Sequence, residues 1–384
     1  DGNNVISVSG SDDTIKAGAG SDTIYNDASK VSMDAGAGND YINNRGGNVI
    51  IDAGDGADTI NNYASNVTIN AGDGNDHIFN IASNASINLG GGNNFIYSES
   101  ANTTIIGSGT NDIDSRADNV VITVGDNSDT LANYGTNVIV DAGAGNDRID
   151  NFGYNTSIIA GDGNDTIFLH NSRGNSTATV STGAGNDSIR VLSSAVNNIV
   201  LTGETNTIEL NANANLVLSA ESNAGASLSS VGNYEANISL AGGVNVSLTS
   251  NPQLIRVADG SNTVTGLANN GAVSINSDTD YTAELNGNNL VLTSSADATD
   301  KVNLLDVKGK FLTINGSFTL VGADAGWSSI SVDDNLNGFL YASDTAAFLL
   351  LGSAFEKESD DLANQPKNVS VSADNKLVFS GPDF

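Results

Sequence analysis

The chain has no cysteine among its 384 residues, only three prolines, one methionine, one tryptophan and two histidines. Without cysteine there is neither a disulfide framework nor a thiolate metal site. Cation-bearing side chains are also scarce. Fourteen Lys and Arg stand against 45 Asp and Glu, giving a formal charge of −31, although only 15% of residues are charged. That imbalance makes nucleic acid and anionic lipid surfaces poor partners. No run of eighteen apolar residues occurs, so no membrane-inserted helix is expected. A basic, apolar leader is missing too, because Asp1-Gly2-Asn3-Asn4-Val5-Ile6 already reads like the sequence that follows. The expectation is a mature fragment of a larger exported protein, for which the lack of cysteine is fitting.

What the chain does have is glycine, 43 residues of it, together with much Asn, Ser and Thr. Such a composition can signal disorder, but Val and Ile recur here at fixed phase, which argues for folded β-structure. The strongest regularity is Ala-Gly-x-Gly-x-Asp, closing at Asp22, Asp40, Asp58 and Asp76, each Asp followed two residues later by Ile. The pattern runs on through Gly90-Gly91-Gly92-Asn93-Asn94 and Gly107-Ser108-Gly109-Thr110-Asn111. It returns to acid at Asp129, Asp147 and Asp165, and a stretched repeat ends at Asp187. Ten turns can be counted, eight acidic and two amidated. A constant period of this length is the mark of a β-solenoid, in which one repeat is one coil and cannot bury its apolar face alone.

The period-two rule for strands assigns the faces. In Asn66–Asn80, Val67, Ile69 and Ala71 point inward and Thr68 and Asn70 outward. After the turn, Ile78 and Asn80 point inward, as do Ile24 and Asn26, Ile42 and Asn44, Ile60 and Asn62, and Ile149 and Asn151. A buried amide needs its donors and acceptors met, and stacked identical Asn side chains can meet them, so this column is read as structural. The far edge carries turns such as Ala64-Ser65-Asn66 and Ala82-Ser83-Asn84, whose small polar residues suit tight backbone geometry. Each coil is therefore expected to be a flattened loop of two strands and two turns, stacked at roughly 4.8 Å.

An acid column at that spacing is costly. Carboxylates about 5 Å apart repel by roughly 0.8 kcal/mol at the dielectric of water and about 3 kcal/mol at an effective dielectric near 20. A cation between successive turns reverses the sign of each term. Oxygen-only ligands select a hard ion, and flexible turn carbonyls plus two carboxylates suit calcium better than magnesium. At this point residues 10 to 190 resemble the Gly-Gly-x-Gly-x-Asp-x-U-x nonapeptide of the hemolysin-type, or repeats-in-toxin, calcium-binding β-rolls. The resemblance implies several calcium ions per chain, held between like-sided turns of adjacent coils. It assigns their carboxylate ligands to Asp22, Asp40, Asp58, Asp76, Asp129, Asp147, Asp165 and Asp187. Main-chain oxygens would come from Gly18, Gly20, Gly36, Gly38, Gly54, Gly56, Gly72, Gly74, Gly143, Gly145, Gly161 and Gly163.

Two departures qualify it. The family's first Gly is Ala17, Ala35, Ala53, Ala71, Ala142 and Ala160 here, which keeps the carbonyl but penalises positive φ. Alternate nonapeptides have become the Ala-Ser-Asn turns, so ions are expected along one edge only. Asn94 and Asn111 should divide that row into two runs.

Residues 1–190 are thus expected to form the calcium-binding solenoid that the resemblance implies. Residues 191–299 keep β alternation without the Asp turns and read as a degenerate solenoid or a β-sandwich, with Gly203-Glu204-Thr205-Asn206 and Gly242-Gly243-Val244-Asn245 as relics of the turns. Residues 300–384 shift in composition, holding Lys301, Lys308, Lys310, Lys357, Lys367, Lys376 and Trp327, and read as a capping or docking segment. His77 and His170 are expected at the surface. No Ser-His-Asp order can be assembled, and the basic and aromatic subsites of a polysaccharide-cleaving enzyme look sparse in the repeats. An ice-binding face fails because the positions equivalent to Thr68 are Ser32, Ile50, Ser86 and Thr104. The resulting expectation is a non-enzymatic structural segment of a secreted bacterial surface protein, an adhesin, surface layer or filament. Its partners would be calcium and either other copies of itself or adjoining domains. The alternatives are an accessory module of a secreted protease, lipase or alginate epimerase, and a self-assembling fibre subunit.

Overall fold

The computed structural model describes residues 1–170 throughout, then 177–192, 194 and 196–202, and from Asn206 onward the strands with some of their connections. Among these residues there is no helix, and so none long and apolar enough to cross a membrane. The chain divides into two compact units, 1–206 and 207–384.

The first unit is a parallel β-solenoid. Strands Thr23–Asn26, Tyr41–Asn44, Thr59–Asn62 and His77–Asn80 stack in one wall. Strands Ser32–Ala37, Ile50–Asp55 and Thr68–Asp73 stack in the wall facing it. Register is constant: Ile24 lies over Ile42, Ile42 over Ile60 and Ile60 over Ile78, all in parallel pairing. The opposite wall places Met33 over Ile51 and Ile51 over Ile69.

The core between the walls is aliphatic. Ile24, Ile42, Ile60 and Ile78 from one side meet Ile51, Ile69 and Ile87 from the other, all at 0–1% exposure, and each such side chain contributes about 2–3 kcal/mol by leaving water. The period-two assignment holds for every inward residue named above. The Ala column does not meet the positive-φ penalty. Ala35, Ala53, Ala71, Ala142 and Ala160 are fully buried core residues, and positive φ falls instead on the two glycines that follow each of them.

The inner amide column is a ladder, interrupted at Ser115, whose buried Oγ has no hydrogen-bond partner. Asn26, Asn44 and Asn62 each donate from Nδ2 to Oδ1 of the Asn one coil on, at 2.7–2.8 Å. Each also donates to a carbonyl two residues along its own chain, while its Oδ1 accepts the N–H from that same residue. Every polar atom of the amide is paired, which is what permits 0–1% exposure. The ladder passes to Ser98 and Ser115 and resumes at Asn133 and Asn151.

A second, outer amide ladder lies on the far edge, where the sequence reading found only turn chemistry. Asn48, Asn66, Asn84, Asn102, Asn119, Asn137 and Asn155 all sit at φ between 52° and 61°. The left-handed region tolerates Asn better than most residues. Consecutive members are joined Nδ2 to Oδ1 at 2.6–3.4 Å.

In the second unit parallel pairing persists, with Leu216 over Ile238, Ile238 over Ile255 and Ile255 over Val273. This is solenoid pairing rather than that of a sandwich. Antiparallel pairing takes over in Tyr281–Asn286 against Asn289–Ser294, and again in Phe311–Ile314 against Ser317–Leu320. Gly203-Glu204-Thr205, Gly242-Gly243, Lys308, Lys310, Lys357, Lys367 and Lys376, and the side chain of Trp327, lie outside the described residues.

Candidate metal centre

The acid column is built by the turn that joins the two walls. Both glycines of each Ala-Gly-x-Gly turn take positive φ, from 85° at Gly143 to 153° at Gly74. Stacking demands glycine as strongly as φ does. A Cβ on Gly56 would lie 1.7 Å from the carbonyl oxygen of Gly38, and one on Gly74 would lie 1.6 Å from that of Gly56. The turn carbonyls thus point along the stack towards the next coil. Those of Gly72 and Gly143 already accept a backbone N–H, at 3.1 and 3.0 Å, which leaves one lone pair each.

After the second glycine the chain turns inward, and the Asp that follows is buried. All eight column aspartates are 1–2% exposed. Their Oδ1 atoms have one job. Asp40 accepts the backbone N–H of Asp22 at 2.7 Å, Asp58 that of Asp40 at 2.7 Å and Asp76 that of Asp58 at 2.9 Å. The same bond joins Asp129, Asp147, Asp165 and Asp187 in series at 2.7–2.9 Å.

Seven of their Oδ2 atoms are orphans. Buried and without a hydrogen-bond partner are Oδ2 of Asp22, Asp40, Asp58, Asp76, Asp129, Asp147 and Asp165, while the Asp187 carboxylate also takes a side-chain hydrogen bond from Thr182. A buried carboxylate oxygen left bare costs several kcal/mol, and seven in register make a repeated demand for a proton or a cation.

The electrostatics state the same demand. Burial pushes the Asp58 carboxyl up to about 7, with the N–H of Asp40 opposing and the carboxylates of Asp76, Asp40 and Asp55 adding to it. Asp147 likewise rises to about 7, chiefly through burial, against the N–H of Asp129 and with the charges of Asp165 and Asp129. Burial lifts Asp129, Asp165 and Asp187 to about 6, and raises Asp40 and Asp76 as well.

The residues fit a hard cation. Each coil places one buried carboxylate in the column, among the described residues no three His, Cys, Asp or Glu side chains converge, and a cation there would need turn carbonyls to complete its shell. Exposed Asp55 and Asp73, paired in register at the turn, and Asp162 bring further negative charge close to Asp58, Asp76 and Asp165. Sequence reasoning passed over these three, although their Ala-Gly-Asp-Gly spacing identifies them. It also passed over Gly183 and Gly185, which keep positive φ and stack on Gly161 and Gly163 despite the longer repeat.

Asn94 and Asn111 stand in the column where expected, and the structure extends it to Asn4 and Asn206. Asn4 donates its N–H to Asp22 at 2.6 Å, and Asn206 accepts that of Asp187 at 3.1 Å. Among the described residues of the first unit the column therefore has twelve members, ten of which the turn motif revealed.

The aromatic residues of the repeats are gathered on one outer wall. Phe79 stacks on Tyr97, Tyr134 on Phe152 and Phe152 on His170, with Arg116 between Tyr97 and Tyr134. His77 lies against Phe95 on the same wall, so both histidines are accounted for away from the acid column. Neighbours one coil away cover the ring faces, and the wall is a ladder of side chains rather than a cleft.

Comparison with known families places a name on the turns. The RTX calcium-binding nonapeptide repeat matches four times, at residues 1–29, 34–62, 52–80 and 152–171. None of the four copies covers the coils of Asn94 and Asn111. No curated protein matches the chain, and no solved structure does.

Proposed function

From a chain whose first 171 residues carry RTX calcium-binding nonapeptide repeats on a β-solenoid, we propose that unit 1 is a calcium-folded structural segment of a secreted bacterial surface protein. The observation that carries the proposal is the single column of eight buried aspartates, seven of them with an unpartnered Oδ2 atom. Repeats of this type occur in secreted bacterial proteins and form a structural, calcium-binding fold. An adhesin stalk, a surface layer or an extracellular filament would use such a rod as a spacer.

The ligands we assign are the eight column aspartates with carbonyls of the adjoining turns, above all those of the second glycines, Gly20, Gly38, Gly56, Gly74, Gly145 and Gly163. Calcium, when bound, supplies positive charge that offsets the carboxylates and occupies the orphan oxygens. The chain's own residues do the rest: glycines bring carbonyls to the stack axis, and each Oδ1 is fixed by a backbone N–H. Three gaps between Asp22 and Asp76 and three between Asp129 and Asp187 have carboxylate on both sides. About six ions per chain are expected, each taking six to eight oxygens.

Because ion binding is folding free energy here, the chain would stay loose where calcium is scarce and fold after export, where it is plentiful. Circular dichroism with and without chelator, alongside metal content by mass spectrometry, tests this. A β-spectrum and melting curve unmoved by calcium removal, or a purified chain without calcium, would sink it.

A further inference from the structure

We infer that the asparagines of the acid column are built-in substitutes for the cation, closing the gaps beside and between the two acidic runs without metal. The inference rests on the calcium reading above and adds which inter-coil gaps refuse an ion.

Asp and Asn use their first oxygen identically. Asn94 Oδ1 accepts the N–H of Asp76 at 3.0 Å, just as Asp76 accepts that of Asp58. They differ only in the second atom. Where seven of the aspartates have an orphan Oδ2, Asn has Nδ2 with two protons to give. At Asn111 that nitrogen donates to the carbonyl of Gly109 at 2.6 Å and to Oδ1 of Asp129 at 3.0 Å. These are the two kinds of oxygen, turn carbonyl and next-coil carboxylate, that an ion in an acidic gap would gather. Asn94 donates to Oδ1 of Asn111 at 3.3 Å and to Gly91 O at 3.5 Å. Next to the outer ends of the two acidic runs, Asn4 donates to Gly2 O at 2.8 Å and Asn206 to Thr202 O at 2.9 Å.

Position explains the choice. The middle pair coincides with a shortened coil, Asn94 pairing Asn111 at a spacing of 17 residues instead of 18, and with the change of the inner ladder to Ser98 and Ser115. The turn geometry is altered just where no ion is asked for. Two ladders of three gaps therefore load as separate blocks on either side of a metal-independent segment.

The test counts ions by native mass spectrometry in calcium buffer, with urea midpoints measured in calcium-free buffer, on the full chain. Asn111→Asp should add one ion to the wild-type count, and Asn94→Asp with Asn111→Asp should add three. Asp147→Asn should lose the two ions on either side of it and raise the calcium-free midpoint, since an amide there supplies the missing donor. An unchanged count in both the gain and the loss variants, or an Asp147→Asn chain no more stable than wild type without calcium, overturns the inference. A wild-type chain that binds no calcium overturns instead the calcium reading, and the calcium-free midpoint of Asp147→Asn still decides whether the amide fills the gap.

Discussion

Strip the protein of calcium and its stability should run backwards with pH. Carboxylates whose folded pKa is raised hold protons that the unfolded chain has already released. The folded state therefore binds more protons than the unfolded one between about pH 4 and 7, and stability falls as pH climbs through that window. Asp58 and Asp147, lifted from 3.8 to about 7, each forfeit ~4 kcal/mol at one pKa unit per ~1.4 kcal/mol. Asp129, Asp165 and Asp187, lifted to about 6, each forfeit ~3 kcal/mol. Neighbouring carboxylates share one another's field, so these figures do not add, but one of them already rivals a good part of a domain's ~5–15 kcal/mol. The assay is a urea titration followed by far-ultraviolet circular dichroism in calcium-free buffer at pH 5 and pH 7.5. The midpoint should be higher at pH 5, and added calcium should reverse the order, because the ion displaces the protons. Replacing Asp58 and Asp147 by Asn should flatten the calcium-free profile, which separates the column from the general charge of the chain. A calcium-free midpoint that rises or stays level from pH 5 to pH 7.5 would refute the reasoning.

Other substitutions probe separate parts of the coil. Asn62→Ala removes four hydrogen bonds from the inner ladder and leaves Asn44 and Asn80 with buried unpaired atoms, so a loss of ~2–4 kcal/mol is expected in a calcium-saturated melt. Gly56→Ala places a methyl 1.7 Å from the Gly38 carbonyl at a φ of 145°, and should cost ~4 kcal/mol or more, at the top of the single-substitution range, with loss of the adjoining ions. Arg116→Ala, by contrast, removes an exposed pair with Asp114 and two ring contacts, and a melt should show ~1 kcal/mol or less.

How much of this could be read from the residues follows from what a period does and does not encode. Phase gave the inward Ile, Val and Ala positions, the inner Asn column and the acid column, since each recurs at a fixed offset. It could not show that the outward positions are shared between coils. Tyr97, Arg116 and Tyr134 come from three successive coils, and their contacts show only when those coils are laid side by side. Asn4 and Asn206 escaped for a related reason: they lack the full turn motif, and only the N–H to Oδ1 bond along the stack reveals them as column members. The outer Asn ladder was visible as repeated Ala-Ser-Asn, but its left-handed backbone is a consequence of stacking that composition does not carry.

The three columns also explain why calcium dependence is confined to one edge. An amide is both donor and acceptor, so a stack of amides is self-complementary and the number of coils does not change its balance. A carboxylate only accepts. Stacking it leaves one oxygen bare per coil, and the deficit grows with every coil added. Both amide ladders therefore close at the moment the coils stack, while the acid edge closes only when something positive arrives. The fold accordingly carries two self-sufficient ladders and one conditional edge. Loss of calcium should act first on the glycine turns, with the Asn62 and Asn66 ladders the last to open; hydrogen exchange along a calcium titration would order the two edges, and simultaneous opening would contradict it.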